Sequence, residues 1–283
     1  MTTTFVIAVS IADIHLEPDA NSELVTQALL NVPVIPGDTS GDWTHVTLAD
    51  YSGWIRSDEL EDPIVRGFCE GIGTCGVALP FSCVVTAPRA PLYLDKQGEE
   101  TVGDLYLSTV LPFIDLAHPQ RFRLALPGDG EGWIERENVE VRNNHELFLQ
   151  QPLTTVTEYA KSFLGVPYLW GGTSYRGIDC SGLVQLCYRM GGEILPRDAD
   201  QQFNFLKQAV ELLEMQQGDL LFFGREHITH VAMALNTREY IHSEGQNFNR
   251  VLINSFDPAD PAYYPELAEH LWGIKRVRNI NES

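Results

Sequence analysis

The sequence predicts an α+β chain in which two small β-barrels precede a larger domain of helices packed on an antiparallel sheet. Three observations carry this expectation. Short β-rich runs separated by polar turns fill Phe5 to Leu60 and recur from Val84 to Val141. The two stretches end alike, YSGWIRSDELE against GEGWIERENVE. The rest of the chain mixes helical spacing with a series of short apolar strands.

In the first stretch, residues 1–62, the runs are FVIAVSI, SELVTQALL, VPVI, DWTHVTL and SGWIRSDEL, and their close spacing suits a small barrel. The second, residues 84–142, has PLYL, DLYLSTVLPFI, RFRLALP and EGWIERENVEV. Trp54 and Trp133 close the two and read as core aromatics. Residues 63–83 read as a Gly-punctuated linker. Cys69, Cys75 and Cys83 lie in or beside it, at spacings that do not suit zinc, and read as structural. Residues 143–152 read as a polar second linker, and residues 153–283 as the third domain.

That domain opens with a helix over Thr155 to Leu164, whose apolar positions 156, 159, 160, 163 and 164 follow helical spacing. DLLFF, HVAMAL, EYIHSE, VLINSF and WGIKRVR follow as strands. Between them, the turns at Gly171-Gly172 and Gly177 lead into Asp179-Cys180-Ser181-Gly182 and an apolar helix ended by Gly191-Gly192. Cys180 therefore starts a helix, with Asp179 at the N-cap. Helix-start N–H groups favour a thiolate, the attacking form of cysteine. A lone cysteine is more often a small buried hydrophobe, so the case needs partners.

Two histidines supply them. His230 opens HVAMAL and His242 lies in YIHSEG. If the hairpin turns about Asn236 or Thr237 with an odd loop, both fall on one face, ~4.5 to 8 Å apart. A base and its orienting group beside a nucleophilic cysteine make a cysteine-peptidase site.

The chain has 283 residues and a formal charge of −20. With 19 Lys and Arg against 39 Asp and Glu, it is poorly suited to nucleic acid or to loose adhesion on an anionic surface, and better suited to a small cationic ligand. No apolar run is long enough to span a membrane. The start, MTTTFVIAVSIADIHLEPDA, lacks the charged region and long apolar core of a secretory signal. A cytoplasmic location is the expectation.

PYLWGGTSYRGIDCSGLV, LPRDADQQ, QQGDLLFFG, HVAMAL and YIHSEG, in this order between about Pro152 and Val277, resemble the papain-like NlpC/P60 family of cell-wall peptidases. The two Gly-Trp endings resemble those of bacterial SH3-like (SH3b) domains. The combination resembles the YkfC-like, dipeptidyl-peptidase VI type of γ-D-glutamyl-L-diamino acid endopeptidase. The resemblance implies Cys180 as nucleophile, His230 as base and acid, His242 as the residue orienting it, and Tyr168 as a donor that helps the Cys180 N–H hold the oxyanion. It implies a murein peptide, L-Ala-γ-D-Glu-diamino acid, as substrate in cell-wall recycling. Asp179, with Tyr51 and Glu23 of the first barrel, would hold its N-terminal ammonium, and Ser181 would contact the D-Glu portion. Ala199 stands where relatives often have serine, which removes one expected contact. No cofactor or metal is implied. Two alternatives stand beside this reading: a non-catalytic wall- or peptide-binding module, and another amidase or acyltransferase on the same scaffold.

Overall fold

The computed structural model of the protein describes residues 4–64, 81–115 and 118–278. The chain divides into two units, Met1–Leu147 and Phe148–Ser283.

The N-terminal unit contains two seven-stranded antiparallel sheets with one topology. In the first, the strands are Phe5–Ile7, Ile11–His15, Leu24–Leu29, Pro33–Ser40, Trp43–Thr47, Ser52–Arg56 and Leu60–Glu61. In the second they are Phe81–Val85, Arg89–Tyr93, Thr101–Tyr106, Val110–Asp115, Arg121–Leu126, Gly130–Glu135 and Val139–Asn143. Numbered within each sheet, both run in the order 3-2-6-5-4-1-7. The matching sequence endings fold alike: a sixth strand, a 3₁₀ turn at Ser57–Glu59 or Arg136–Asn138, and a closing strand paired with the first.

Strand alternation assigns the two tryptophans differently from the sequence reading. Ile55 and Ile134 fill the cores, while the neighbouring Trp54 and Trp133 are only half-buried and stand edge-on to His45 and His118. The preceding glycines are required by close approach. A Cβ at Gly53 would lie 2.6 Å from the His15 carbonyl oxygen, and one at Gly132 would lie 2.7 Å from Leu92. The second sheet also starts earlier than the sequence suggests. Phe81–Val85 is a strand, and Cys83 is a core residue within it, its thiol pushed up to about 12 by burial. Cys69 and Cys75 lie outside the described residues. Leu30, in the turn after the strand Leu24–Leu29, packs into the core of the second sheet, and the Asn31 side chain donates to the Val110 carbonyl at 3.0 Å.

The C-terminal unit begins with α1 (Leu153–Lys161), followed by α2 (Cys180–Met190) and α3 (Ala199–Phe205); α4 (Pro265–Glu269) comes just before the last strand. Its six-stranded antiparallel sheet runs Gln208–Val210, Leu271–Arg276, Leu220–Gly224, Ile228–Ala234, Glu239–Glu244, Arg250–Ser255. Helix α2 packs on α1 and on the two central strands that carry the histidines. One core cluster, Met215, Leu221, Phe223, Ala232, Ala234, Tyr240 and Ile274, includes the residues that alternate in phase with His230 and His242. No helix among the described residues is long and apolar enough to cross a membrane.

Candidate active site

The hairpin register decides whether the two histidines can meet. Met233 pairs with Ile241 and Ala234 with Tyr240, so the turn centres on Thr237. Continuing that register puts His242 opposite Ala232, one diagonal step from His230 on the same face. Their side chains meet: His230 Nε2 lies 2.8 Å from His242 Nδ1, with the rings nearly perpendicular. Phe223 packs against His230 and Tyr240, and Tyr240 against His242 and Phe256, forming an aromatic wall behind the pair.

A further member of this line was not foreseen from the sequence. Asn254 Oδ1 lies 2.8 Å from His242 Nε2, and Asn254 Nδ2 donates to the Ala262 carbonyl at 2.8 Å. The strand register pairs Asn254 with Tyr240 and His242 with Leu252, so Asn254 is again one diagonal step from its histidine. The signal in the sequence was slight: one amide inside the strand VLINSF.

Cys180 is the first residue of α2 and is 7% exposed. The backbone of Val231, next to His230, and of Ser181 favours the thiolate at this position. Burial, with the adjacent Asp179 charge, nevertheless pushes the thiol up to about 12. Desolvation therefore opposes the thiolate that the helix start favours. The histidines shift in the matching direction. Burial and then the neighbouring His242 hold His230 well below its usual range, and burial brings His242 down to about 4 against opposing contributions from Asn254 and Glu244. The shifts of all three groups favour their uncharged forms.

Asp179 anchors the nucleophile from below. Its Oδ1 accepts from Gly182 N at 2.6 Å, Ser181 Oγ at 3.2 Å and Arg197 Nη1 at 3.0 Å; its Oδ2 accepts from Gly171 N at 3.0 Å and from Arg197 Nη2. Arg197 Nη1 also donates to Ser181 Oγ at 3.0 Å. Asp179, Ser181 and Arg197 are all buried. The N-cap predicted for Asp179 is present, but five internal donors engage its carboxylate, and the Ser181 hydroxyl is held in the same network. Arg197 fastens its own loop to the start of α2. Gln202, on α3, adds a bond to the Ser181 carbonyl at 3.1 Å.

Tyr168 lies beside this network. Gly165–Tyr168 runs along the outer strand of the sheet, with Val251 N donating to Val166 O at 2.9 Å and Tyr168 N to Asn249 O at 3.1 Å. The Tyr168 ring covers Gly245, where a Cβ would lie 2.7 Å from it. Burial, and then the neighbouring Cys180 and Asp179, raise the phenol's pKa, so it remains a neutral O–H donor.

Of the remaining candidates, Tyr51 sits half-buried at the turn between Trp43–Thr47 and Ser52–Arg56 in the N-terminal unit, and its carbonyl accepts from Leu48 N at 2.8 Å. Glu23 is exposed just before the strand Leu24–Leu29. Among the described residues, no group of His, Cys, Asp and Glu could hold a metal ion.

A buried thiol at a helix start, with an imidazole pair on the facing strands, can carry out acyl transfer through a thioester. The family description "NlpC/P60 family" matches residues 165–273, and "Bacterial dipeptidyl-peptidase Sh3 domain" matches residues 14–60. A γ-D-glutamyl-L-lysine dipeptidyl-peptidase of Bacillus subtilis is 30% identical over 231 residues, which cover 77% of this chain and 71% of that protein. The chain belongs to the NlpC/P60 family.

As an NlpC/P60 member it is a cysteine peptidase. Dipeptidyl-peptidase 6 of Lysinibacillus sphaericus is 28% identical over 276 residues, covering 95% of this chain and 97% of that one. The fold agrees over the same extent. A crystal structure of an NlpC/P60 family protein from Bacillus cereus covers 97% of this chain, and this chain covers 99% of it, with a TM-score of 0.80 at 24% identity. The expectation of SH3-like barrels ahead of a papain-like NlpC/P60 domain is met.

Proposed function

We propose that the protein hydrolyses the amide bond between γ-D-Glu and the diamino acid of murein peptides that carry a free N-terminal L-Ala, and that it does so in the cytoplasm, in cell-wall peptide recycling. The observation that carries the mechanism is the 2.8 Å contact of His230 and His242 beside the helix-start thiol. The names of the Bacillus subtilis and Lysinibacillus sphaericus relatives support the substrate class.

In this mechanism Cys180 Sγ attacks the γ-carbonyl of D-Glu as His230 takes its proton. The oxyanion is met by the Cys180 N–H, which has no carbonyl partner in the first turn of its own helix, and by the neutral Tyr168 phenol. His230 then protonates the leaving amine, the C–N bond breaks, and a thioester of the L-Ala-γ-D-Glu acyl group remains on Cys180. Water, deprotonated by His230, hydrolyses the thioester and releases the dipeptide. Because thiol and imidazole start uncharged, the proton moves with the attack rather than before it.

Recognition of the N-terminus is assigned to Asp179. An ammonium reaching Asp179 must replace one of the five internal donors, and the Ser181 hydroxyl, at 3.2 Å, makes the longest of the measured bonds. Its release would free that hydroxyl for the D-Glu portion. The formal charge of −20 favours a cationic peptide terminus over an anionic sacculus. N-acetylating L-Ala-γ-D-Glu-diaminopimelate is expected to lower kcat/KM at least ~100-fold, roughly 2.7 kcal/mol of lost interaction. Equal rates for the free and acetylated tripeptides, or ready lysis of intact peptidoglycan, would refute recognition of the free terminus.

A further inference from the structure

We infer that Asn254 is a positioning residue that sets the tautomer of both histidines, so that His230 presents an unprotonated Nδ1 to the thiol. The hydrogen-bonding capacity of each group, taken from a peptide carbonyl inwards, fixes the tautomers, and the inference rests on the reading of His230 as the base.

The Ala262 carbonyl can only accept. It receives the Ser255 backbone N–H at 3.0 Å, and the side-chain nitrogen of Asn254 at 2.8 Å. The Ala262 peptide is itself held by its own N–H, which donates to Asp260 Oδ1 at 2.8 Å. Because an amide oxygen facing that carbonyl would repel it, the Asn254 amide has one orientation, with NH₂ towards Ala262 and Oδ1 towards His242.

The rest follows in sequence. Oδ1 is an acceptor, so His242 Nε2, 2.8 Å away, must carry a proton. A neutral imidazole has one N–H, so His242 Nδ1 has a lone pair. That lone pair faces His230 Nε2 at 2.8 Å, so the His230 proton is on Nε2. The remaining nitrogen of His230, Nδ1, is then the free base.

The groups around the pair agree with neutral rings. His242 is fully buried and faces His230, the Tyr240 ring and Asn254, with the Glu244 charge nearby; Glu244 is itself engaged by the N–H groups of Gln246, Asn247 and Phe248. Asn254 thus acts two residues away from the chemistry. Without it, His242 can hold its proton on Nδ1, His230 must then carry its own on Nδ1, and the base is lost from that fraction of molecules.

The test is ¹⁵N NMR of the full chain labelled at histidine, with one-bond and long-range couplings used to read which ring nitrogen carries hydrogen, and with His230 and His242 assigned by single substitutions. Both should carry it on Nε2 in the wild type at neutral pH. In Asn254→Leu, which keeps similar side-chain volume, the Nδ1–H form should appear at both histidines. For cleavage of L-Ala-γ-D-Glu-diaminopimelate, kcat should fall on the order of 10-fold or more with KM little changed. His230 protonated at Nδ1 in the wild type, or wild-type tautomers and wild-type kcat in a folded Asn254→Leu protein, would overturn the inference. The wild-type spectrum requires neither a substrate nor a variant, so neither a wrong substrate assignment nor a misfolded variant can mask the answer.

Discussion

Cys180→Ser should lower kcat/KM by about 10,000-fold or more while the protein remains folded, the scale on which loss of an acting nucleophile is usually felt. The reason is specific to this site. The Cys180 thiol is buried and held towards its protonated form, while burial and its histidine neighbour hold the base, His230, towards the neutral imidazole. Such a base can take a proton from sulfur during attack, but a serine hydroxyl is a far weaker acid, and Arg197, the cation that acts on residue 180, is already paired with Asp179. Cys187 is the control. It lies two turns along α2, fully buried, and Cys187→Ser places a hydroxyl in an apolar setting. That substitution should cost about 1–3 kcal/mol of stability and leave kcat nearly unchanged. Activity assays and urea unfolding on the two variants separate the roles; full activity in Cys180→Ser would rule out the mechanism.

The second large effect is on folding. Arg197→Met should destabilise the C-terminal unit by about 3–5 kcal/mol, because it leaves the buried Asp179 carboxylate without its counter-charge. Arg197 is 2% exposed and ties the Pro196 loop to the start of α2 through two nitrogens on Asp179 and a third contact to Ser181. Asp179→Asn combined with Arg197→Met removes both charges and should regain part of the loss, which a double-mutant cycle in urea would measure. A single Arg197→Met variant within 1 kcal/mol of wild type would show that the pair does not hold the helix start.

How far these features could be read in the sequence depended on whether local chemistry or distant contacts decide them. The Gly-Trp endings announced the duplicated sheets because each glycine sits where the neighbouring strand leaves no room for a Cβ, a constraint that survives in the sequence. The hairpin carrying His230 and His242 was readable because strand alternation and a single turn centre determine the face. The inward side of Trp54 and Trp133 was misread, since an aromatic next to a core isoleucine looks apolar in either phase and only the register assigns the pocket. The strand at Phe81 was taken for linker because the Gly-rich run before it blurred its start. Asn254 was missed for another reason: its partner, Ala262, contributes a backbone carbonyl, which no side-chain pattern reveals. The helix end that favours a thiolate at Cys180 is visible in sequence, whereas the burial that opposes it is a property of the packed sheet.

The central claim is that Cys180, activated by the His230–His242 pair, attacks the γ-carbonyl of D-Glu. It is tested most directly by identifying, by mass spectrometry, the products that the purified wild-type protein makes from L-Ala-γ-D-Glu-diamino acid tripeptides. The account predicts two products, the dipeptide L-Ala-γ-D-Glu and the free diamino acid, with one ¹⁸O atom from labelled water in the γ-carboxylate of the dipeptide. Release of free L-Ala, cleavage elsewhere, or no hydrolysis of any such peptide would contradict it.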